Sequence, residues 1–403
     1  TGTIDRTSPT VTIEQASGQL DPTGVSPVNF TAVFSEAVYG FDNVLDLTLS
    51  GTANPTAAAI TGSGTTYNVA VSNMTTSGTV IAEVKAGGAT DTAGNGNLAS
   101  TSTDNNVEYD SVAPIASIDL QIASDSGISN VDNITNVASP VFNVAFNKAL
   151  AFAPVNGNFS NIGTATGCTF AVGAPTGNTY PLTVSGCSEG TLIVRLAANS
   201  VRDSAFNWNA QTTGPTVTID RTGPNVTINQ AGPPQTDPTD ISPIEFTAVF
   251  SEPVTNFATG DVTVSGSAGA TIGVVSGSGT TYSVAVSNMT GDGTVIANIN
   301  AAVATDAAGN NNFAGTFSDN QVTYDTTAPT VTINQKTTPP AQADPTNTSP
   351  INFTVIFSEP VTGFATGDVT LGGTAGATTA TVTGSGTTYN VAVTGMTGSG
   401  TVV

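Results

Sequence analysis

The side chains of this sequence that could do chemistry are carboxylates, and they recur at equivalent positions along the chain. A Ser-Glu pair supplies Glu36, Glu252 and Glu359, and the strings TDTAGN and TDAAGN supply Asp91 and Asp306. Carboxylates in proteins either act in pairs as catalytic acids and bases or bind hard divalent cations. Because an active site usually occurs once, acids that recur in several places favour a structural role.

Composition excludes several classes of function. None of the 403 residues is His, so the commonest catalytic base and the commonest metal-binding side chain are both missing. Only 7 Lys and Arg stand against 29 Asp and Glu, and the net charge of −22 leaves no basic footprint for nucleic acid. No apolar run reaches the roughly 18 residues that cross a membrane. We therefore expect a non-enzymatic protein, without a membrane span in this segment and without a nucleic-acid partner.

Internal repetition organises the chain. The string GSGTTYNVAV at 62–71 returns at 384–393 and, with one change, at 277–286. Linker prolines spaced by 105, 110 and 105 residues mark the units: Pro9, Pro114, Pro224 and Pro329. The predicted segments are the end of a preceding repeat with its linker and then four repeats: 1–8, 9–110, 111–220, 221–325 and 326–403. Repeat two is divergent, and repeat four is expected to stop before its last two strands.

Each repeat shows the pattern of short strands separated by turns. Val28, Phe30, Ala32 and Phe34 alternate with Asn29, Thr31 and Val33, which is typical of a strand with one buried face. About seven such strands occur per repeat, with turns every 8 to 12 residues or so, as in a β-sandwich. No window has helical periodicity. The pattern predicts an all-β chain of antiparallel β-sandwiches arranged end to end as a rod.

Several strings are similar to one known family. SEPVTGFATGDVTL at 358–371, TDAAGNNNF at 305–313 and YDTTAPTVTINQ at 324–335 resemble the bacterial immunoglobulin-like repeats of large extracellular adhesins and surface repeat proteins. The resemblance implies tandem immunoglobulin-like sandwiches, a secreted or cell-surface location, and calcium ligands in the D-x-x-G-N loops and at the linker Asp residues. Repeat two departs from the pattern, because Lys148 replaces the Glu and Phe206 replaces a Gly.

Sandwich topology brings the recurring acids together. The loops after the second and sixth strands return to the N-terminal end of a repeat, where the linker also arrives. Unpaired carboxylates at close range repel, and a calcium ion with 6 to 8 oxygen ligands would relieve this. The candidate calcium ligands at the junctions are Asp5, Glu36, Asp46, Asp91, Asn95, Asp110, Asp203, Asp220, Glu252, Asp261, Asp306, Asn310, Asp325, Glu359 and Asp368.

Two further expectations concern these junctions. The Asp-Pro-Thr turns of the preceding repeat, at Asp21, Asp237 and Asp344, are expected to face the same sites. With Lys148 in place of Glu, the junction before repeat two is expected to bind an ion weakly or not at all. The alternative is that the Asp and Asn residues serve only as turn formers.

Three other residues have chemistry of their own. The midpoint between Cys168 and Cys187 falls in the turn joining the fourth and fifth strands of repeat two, so the pair is expected to face across the ladder. A disulfide is predicted there, and two buried thiols are the alternative. Trp208, the single Trp, is either a stacking platform for a sugar or a residue packed near the junction.

These observations predict a structural stalk or fibre segment of a long extracellular bacterial surface protein, stiffened by calcium at its junctions and supporting adhesion. Two alternatives stay open. The repeats could themselves bind glycans or cell surfaces, or identical chains could assemble into an extracellular filament by strand exchange. The neighbouring repeats of the same chain are the remaining expected partners.

Overall fold

The computed structural model describes residues 2–233, 235–338 and 340–403. Thr1, the first residue of the predicted 1–8 segment, lies outside this part of the chain. The described residues form β-strands and four short 3-10 helices, and none of their helices is long and apolar enough to cross a membrane. The 3-10 helices are Val44–Asp46, Ile122–Ser124, Asn156–Asn158 and Thr366–Asp368. The predicted all-β class is confirmed.

Repeat one is a sandwich of two antiparallel sheets, with strand orders β1-β2-β4 and β3-β5-β6. Its strands are β1 Val11–Gln15, β2 Val28–Val38, β3 Leu47–Ser50, β4 Ala57–Ser72, β5 Gly78–Val84 and β6 Asn106–Tyr109. Val28, Phe30 and Phe34 of β2 are buried, as their alternation predicts. The tyrosine Tyr67 closes the core by donating its hydroxyl to the carbonyl of Val38 at 2.9 Å.

The predicted fourth and fifth strands of repeat one both fall within the range Ala57–Ser72, which is labelled β4 as one element. The chain reverses direction within this range at the Gly-Ser-Gly turn, where Gly62 has a φ of 135°. A Cβ on Gly62 would lie 2.5 Å from the carbonyl oxygen of Thr66, so only glycine fits this turn.

Repeats three and four follow the same plan. The strands of repeat three are β15 Val226–Gln230, β16 Ile244–Val254, β17 Val262–Ser265, β18 Ile272–Ser287, β19 Gly293–Ile299 and β20 Gln321–Tyr324. They form sheets β15-β16-β18 and β17-β19-β20. Repeat four has one sheet of β21 Val331–Gln335, β22 Ile351–Val361 and β23 Thr379–Thr394. Its described residues contain no strand after β23, although Val403 exchanges two backbone hydrogen bonds with Gly372.

Repeat two has two four-stranded sheets, β11-β12-β9-β7 and β10-β13-β14-β8. Its strands are β7 Ala116–Leu120, β8 Ile134–Thr135, β9 Val141–Phe146, β10 Phe159–Asn161, β11 Thr169–Val172, β12 Thr179–Ser185, β13 Gly190–Leu196 and β14 Thr212–Ile219. The short β8 pairs parallel with β14. In repeats one and three the same contact is a single parallel bridge, Thr23–Tyr109 and Thr239–Tyr324.

The predicted disulfide between Cys168 and Cys187 is present, with its Cα atoms 4.2 Å apart. The expected register was wrong by one residue. Thr169 pairs with Ser185, so Cys168 stands opposite Gly186 and bonds to the residue beyond it. The bond therefore joins the open ends of the β11–β12 hairpin, just outside the ladder.

Candidate metal centres at the repeat junctions

Two clusters of three carboxylates form at the N-terminal ends of repeats one and three. We name each junction after the repeat that follows it. One oxygen from each carboxylate lies within 4.8 Å of the others in both groups, which are Asp5, Glu36 and Asp91 at junction one and Asp220, Glu252 and Asp306 at junction three. Each cluster thus combines a linker Asp, a Glu near the end of the second strand and an Asp from the loop before the last strand.

The loop before β20 holds Asp306 in place through its own backbone. Oδ1 of Asp306 accepts the Asn310 N–H at 2.8 Å, and the side chain is only 1% exposed. The Asn310 amide nitrogen donates to Oδ2 of Asp306 at 2.9 Å and to the carbonyl of Asp220 at 3.1 Å. The same amide therefore ties the loop to the linker.

Junction one repeats this arrangement. The Asn95 amide nitrogen donates to Oδ2 of Asp91 at 2.8 Å and to the carbonyl of Asp5 at 3.4 Å. This hydrogen bond from Asn95 is the main cause that lowers the pKa of Asp91. Asn95 and Asn310 were expected to be ion ligands, which stays a prediction. In the structure their amide nitrogens are donors that clamp the loop to the linker.

Crowding of negative charge perturbs junction three. Burial raises the pKa of Asp220, and the charges of Asp306 and Glu189 add to the rise against a hydrogen bond from the Thr222 N–H. Burial also raises the pKa of Glu252, with further contributions from Asp220, Asp306 and Glu189. In both groups burial is the largest cause, and the neighbouring carboxylates add to it.

Junction two has an ammonium group where the other junctions have a carboxylate. Nζ of Lys148 lies 2.6 Å from Oδ2 of Asp110 and 3.0 Å from Oδ2 of Asp203, whose side chain is almost fully buried. It also donates to the carbonyl of Val112. Asn207 makes the same two hydrogen bonds as Asn310 does at junction three, because its amide donates to Oδ2 of Asp203 and to the carbonyl of Asp110.

The ion pairs of junction two stabilise the charged forms of its members. Burial alone would raise the pKa of Asp110, but hydrogen bonds from Lys148, the Val112 N–H and Ser77, with the Lys148 charge, leave it lowered. Burial alone would lower the pKa of Lys148, and its bonds to Asp110 and Asp203 leave it raised. The sign of the Asp110 shift is thus opposite to that of Asp220.

The structure corrects the predicted role of Asp46, Asp261 and Asp368. Each carboxylate turns back onto its own loop, where Oδ2 accepts the N–H of Asn43, Ala258 or Ala365 at 2.9, 2.7 and 2.8 Å, respectively. An acid three residues into a tight turn satisfies the first free amide of that turn. None of the three belongs to a carboxylate cluster among the described residues.

The Asp-Pro-Thr turns are also placed elsewhere. Oδ1 of Asp21 accepts the Glu108 N–H, and Oδ1 of Asp237 accepts the Thr323 N–H. These bonds hold each turn against the last strand of its own repeat, and neither Asp joins a cluster in the described part of the chain. Asp344 lines a small cavity within repeat four.

Junction four contains two of the three elements. Asp325 and Glu359 line one open cleft between repeats three and four. Oδ1 of Asp325 accepts the Thr327 N–H at 3.0 Å, as Asp220 does from Thr222. The sequence ends at Val403, before the position equivalent to Asp306.

One supporting residue at junctions two, three and four was not predicted. A polar residue stands directly before Gly78, Gly190 and Gly293, the first residues of β5, β13 and β19. Its side chain accepts a hydrogen bond from the backbone N–H of the residue after the linker Asp. The three bonds are Ser111 to Ser77 at 3.0 Å, Arg221 to Glu189 at 2.9 Å and Thr326 to Asp292 at 2.8 Å. The fixed position of a polar residue before Gly78, Gly190 and Gly293 was the available signal.

A second Asn in each loop was also missed. Asn97, Asn209 and Asn312 are buried, and each donates its amide to two carbonyls while its Oδ1 accepts backbone N–H groups. This residue holds the loop that carries Asp91, Asp203 or Asp306 in one shape. Its signal is an Asn six residues after each of those Asp residues.

Trp208 lies on the same loop of repeat two and is 46% exposed. Its ring centroid is 5.1 Å from the guanidinium carbon of Arg202. Trp208 is therefore a surface residue beside the junction and not part of the sandwich core.

Comparisons with known proteins concern the repeat unit. A sequence profile described as a bacterial Ig-like domain matches residues 5–109 and 220–324, together just over half of the chain. Among solved structures, InvD of Yersinia pseudotuberculosis is 14% identical, covering 78% of this chain and 100% of its own, with a TM-score of 0.30. No curated protein sequence matches the chain.

Two further solved structures are similar at the level of fold. The I9–I11 tandem of titin is 10% identical, covering 76% of this chain and 99% of its own, with a TM-score of 0.23. The S-layer protein fragment rSbsC(31–844) is 13% identical, covering 98% of this chain and 66% of its own, with a TM-score of 0.18. These likenesses concern the type of fold alone.

Proposed function

The chain belongs to the bacterial Ig-like domain family, and we propose that it is a structural stalk segment of an extracellular bacterial surface protein, with calcium at its junctions. One observation supports this most strongly. The same three positions converge at three junctions, and they present either three carboxylates or two carboxylates and an ammonium. A position filled by a built-in cation in one repeat indicates a site for a free cation in its sister repeats.

Counting charge gives the same result. Asp110, Asp203 and Lys148 together carry one net negative charge, whereas Asp220, Glu252 and Asp306 carry three when ionised. A bound divalent cation would bring junction three to the value that junction two has permanently. The raised pKa values of Asp220 and Glu252 are the expected sign of a site whose positive charge is supplied from outside.

The donor set suits calcium. All three side chains offer carboxylate oxygens, and no Cys or His is present in the clusters. Hard cations prefer such oxygens, and calcium accepts the irregular geometry of ligands from separate loops better than magnesium does. Three carboxylates leave coordination positions for water, so we expect a dissociation constant of about 10⁻⁴ to 10⁻³ M, as in other extracellular modules.

The mechanical consequence follows from where the ligands lie. Asp220 belongs to the linker after β14, Glu252 to β16 and Asp306 to the loop between β19 and β20. A cation bound by all three would tie the linker to two elements of the next repeat. Without a cation, junction three is held by hydrogen bonds: the Asn310 clamp and the bonds that Ser126, Ile128 and Asn136 of repeat two donate to Ala308, Ala307 and Asn310. A cation would add bonds to three carboxylates and would hold the angle between the repeats more tightly. A chain of such junctions would project a terminal or adhesive domain away from a surface.

Small-angle scattering of the whole chain tests the proposal. We expect the radius of gyration to be larger and the maximum dimension better defined in 5–10 mM calcium, roughly ten times the expected dissociation constant, than in chelator. The control is the double variant Glu36→Gln and Glu252→Gln, which keeps the side-chain shapes and removes one charge from each cluster. Equal scattering profiles of the native chain with calcium and with chelator would refute calcium stiffening.

A further inference from the structure

Repeat two carries a surface cluster of three aromatic rings around one arginine. We call it the aromatic–arginine patch, and its members are Phe152, Arg202, Phe206 and Trp208. The guanidinium carbon of Arg202 lies 4.0, 5.1 and 5.7 Å from the ring centroids of Phe206, Trp208 and Phe152, respectively. The three rings remain 39%, 46% and 69% exposed in the same order. Large apolar side chains that stay this exposed in one place usually mark a binding surface.

All four patch residues differ from the residues at the same positions of the sister repeats. The backbone establishes the equivalence, because the bridge between Arg202 and Trp208 corresponds to the bridges Thr90–Gly96 and Thr305–Asn311. In repeats one and three, the equivalents of Phe152, Arg202, Phe206 and Trp208 are Gly40, Thr90, Gly94 and Gly96, and Asn256, Thr305, Gly309 and Asn311. Repeat two therefore has three aromatic rings and one arginine at a place where repeats one and three have small or polar residues.

Phe206 occupies a backbone position that favours glycine. Its φ is 69°, and the equivalent Gly94 and Gly309 have φ values of 86° and 88°. A bulky side chain in this left-handed region is strained. The ring contributes nothing to the sandwich core that offsets the strain, because it packs on Arg202 at the surface. A strained residue of this kind points to a role in recognition.

Arg202 is positioned but not satisfied. Its guanidinium stacks on Phe206, and among the described residues it donates no hydrogen bond and forms no ion pair. The backbone holds it firmly, since its carbonyl accepts the Ala151 N–H at 2.8 Å. A guanidinium presents five N–H donors in one plane, and none of those of Arg202 is used within the described residues, although the side chain is only half-buried.

We propose that the aromatic–arginine patch binds a glycan, with a pyranose ring stacked on an exposed aromatic face and its hydroxyl or carboxylate oxygens accepting from Arg202. The exposed area of the three rings is on the order of 300 Å². A stable protein interface needs about 800 Å² from each partner, so this patch is too small for one but matches one or two sugar residues. The net charge of −22 disfavours a polyanionic ligand and leaves neutral or singly acidic sugars.

The test compares the full chain with a variant that restores the residues of repeat three. The variant is Phe152→Asn, Arg202→Thr, Phe206→Gly and Trp208→Asn, and it should fold because repeat three uses these residues at the same backbone positions. The control is Phe313→Ala, which removes an exposed ring from repeat three. All three proteins are applied to an array of neutral, uronic-acid-containing and sialylated oligosaccharides.

We expect the native chain and the Phe313→Ala control to bind the same oligosaccharides, and the fourfold variant to lose at least tenfold in affinity. Trp208 is the single tryptophan, so titrating the native chain with a bound oligosaccharide should shift its fluorescence. Binding confined to acidic sugars would support the proposal with a carboxylate oxygen accepting from Arg202. Binding shared with neutral sugars would support it with a hydroxyl oxygen as the acceptor. Failure of the native chain to bind any oligosaccharide would overturn it, as would equal binding by the variant or patch-dependent self-association in sedimentation.

Discussion

Junctions two and three have the same backbone plan and opposite electrostatics. In both, an Asn amide joins the carbonyl of the linker Asp to a loop Asp, through Asn207 in one and Asn310 in the other. Lys148 then neutralises junction two, whereas Glu252 adds a third carboxylate to junction three. The comparison teaches that the same hydrogen bonds shape both junctions and that one side chain sets their charge. Under the proposed function, that side chain decides whether the cation is part of the chain or is bound from solution.

The difference has a mechanical meaning. An ammonium on the chain cannot dissociate, so junction two should keep its geometry with or without calcium. Junction three should be firmer where calcium is abundant. A rod with both kinds of junction would soften at defined places when calcium is removed.

The largest effect is expected from Lys148→Glu. This change leaves the buried Asp203 beside two further carboxylates, so without calcium repeat two should lose about 3 kcal/mol of its free energy of unfolding. Calcium should restore most of the loss, because the variant junction reproduces the acid set of junction three. Chemical denaturation in chelator measures the loss of unfolding free energy, and denaturation in calcium measures how much of it is restored.

The matched control for that change is Lys85→Glu, which makes the same change of charge at an exposed lysine of repeat one. We expect it to move stability by less than about 0.5 kcal/mol. A loss in Lys148→Glu that calcium does not reverse would show that junction two cannot become an ion site.

The reverse exchange is Glu252→Lys, which should transplant the built-in cation into junction three. The new ammonium would meet Asp220 and Asp306, and calcium affinity at this junction should fall by a factor of about 100 or more. Isothermal titration should then detect one calcium site fewer than in the native chain. Glu245→Lys, on the same strand β16, is the control and should leave the number of sites unchanged.

The two junctions should also respond oppositely to acid in calcium-free buffer. Asp220 and Glu252 have raised pKa values, so the folded state binds protons more readily than the unfolded chain, and repeat three should gain stability as pH falls from 7 towards about 4.5. Asp110 has a lowered pKa, so its stabilisation is complete above about 4 and is lost as pH falls through its folded value.

Hydrogen exchange resolved by repeat, corrected for intrinsic rates, measures this contrast. Protection in repeat three should rise between pH 7 and about 5 while protection in repeat two stays constant. With calcium bound, the rise in repeat three should disappear, because the bound ion keeps the carboxylates ionised. Parallel pH profiles of the two repeats in calcium-free buffer would contradict the assigned electrostatics.

The smallest effect is expected from the clamps. Asn310→Ala removes the donor to Asp306 and to the Asp220 carbonyl, and should cost about 1–2 kcal/mol of stability together with a roughly tenfold loss of calcium affinity. Asn207→Ala should have the same effect on stability and none on calcium binding. Equal effects of the two variants on calcium binding would place an ion at junction two as well.

The sequence predicts the fold because repeats one, three and four share recurring strings in one order, and because the alternation around Phe30 can bury only one face of a strand. It also predicts that Glu36 and Asp91 approach each other, since both loops must return to the same end of a sandwich. Asp46 was predicted to bind an ion, but a carboxylate near the start of a turn can instead accept a hydrogen bond from the nearest backbone N–H, as Asp46 does. Residue type alone cannot decide between these two roles.

The sequence predicts which loops meet, but it does not predict the individual side-chain contacts between them. Lys148 was expected only to weaken an ion site, and the structure shows that its ammonium reaches both Asp110 and Asp203. Arg202 was not predicted to meet Phe152, because the two residues belong to different loops that only the folded repeat brings together. Spacing along the chain indicates the periodicity of strands, but it does not measure distances between loop side chains.

The most direct test of the central claim is a pair of spin-label distance distributions in the full chain. Labels on cysteines replacing exposed Thr12 and Ser117 span junction two, and labels replacing Ser117 and Thr227 span junction three. The native cysteines are already joined in a disulfide and should not react. The account predicts that chelator broadens the distribution across junction three, that calcium narrows it again, and that the distribution across junction two does not change. Equal responses at both junctions, or no response at junction three, would contradict it.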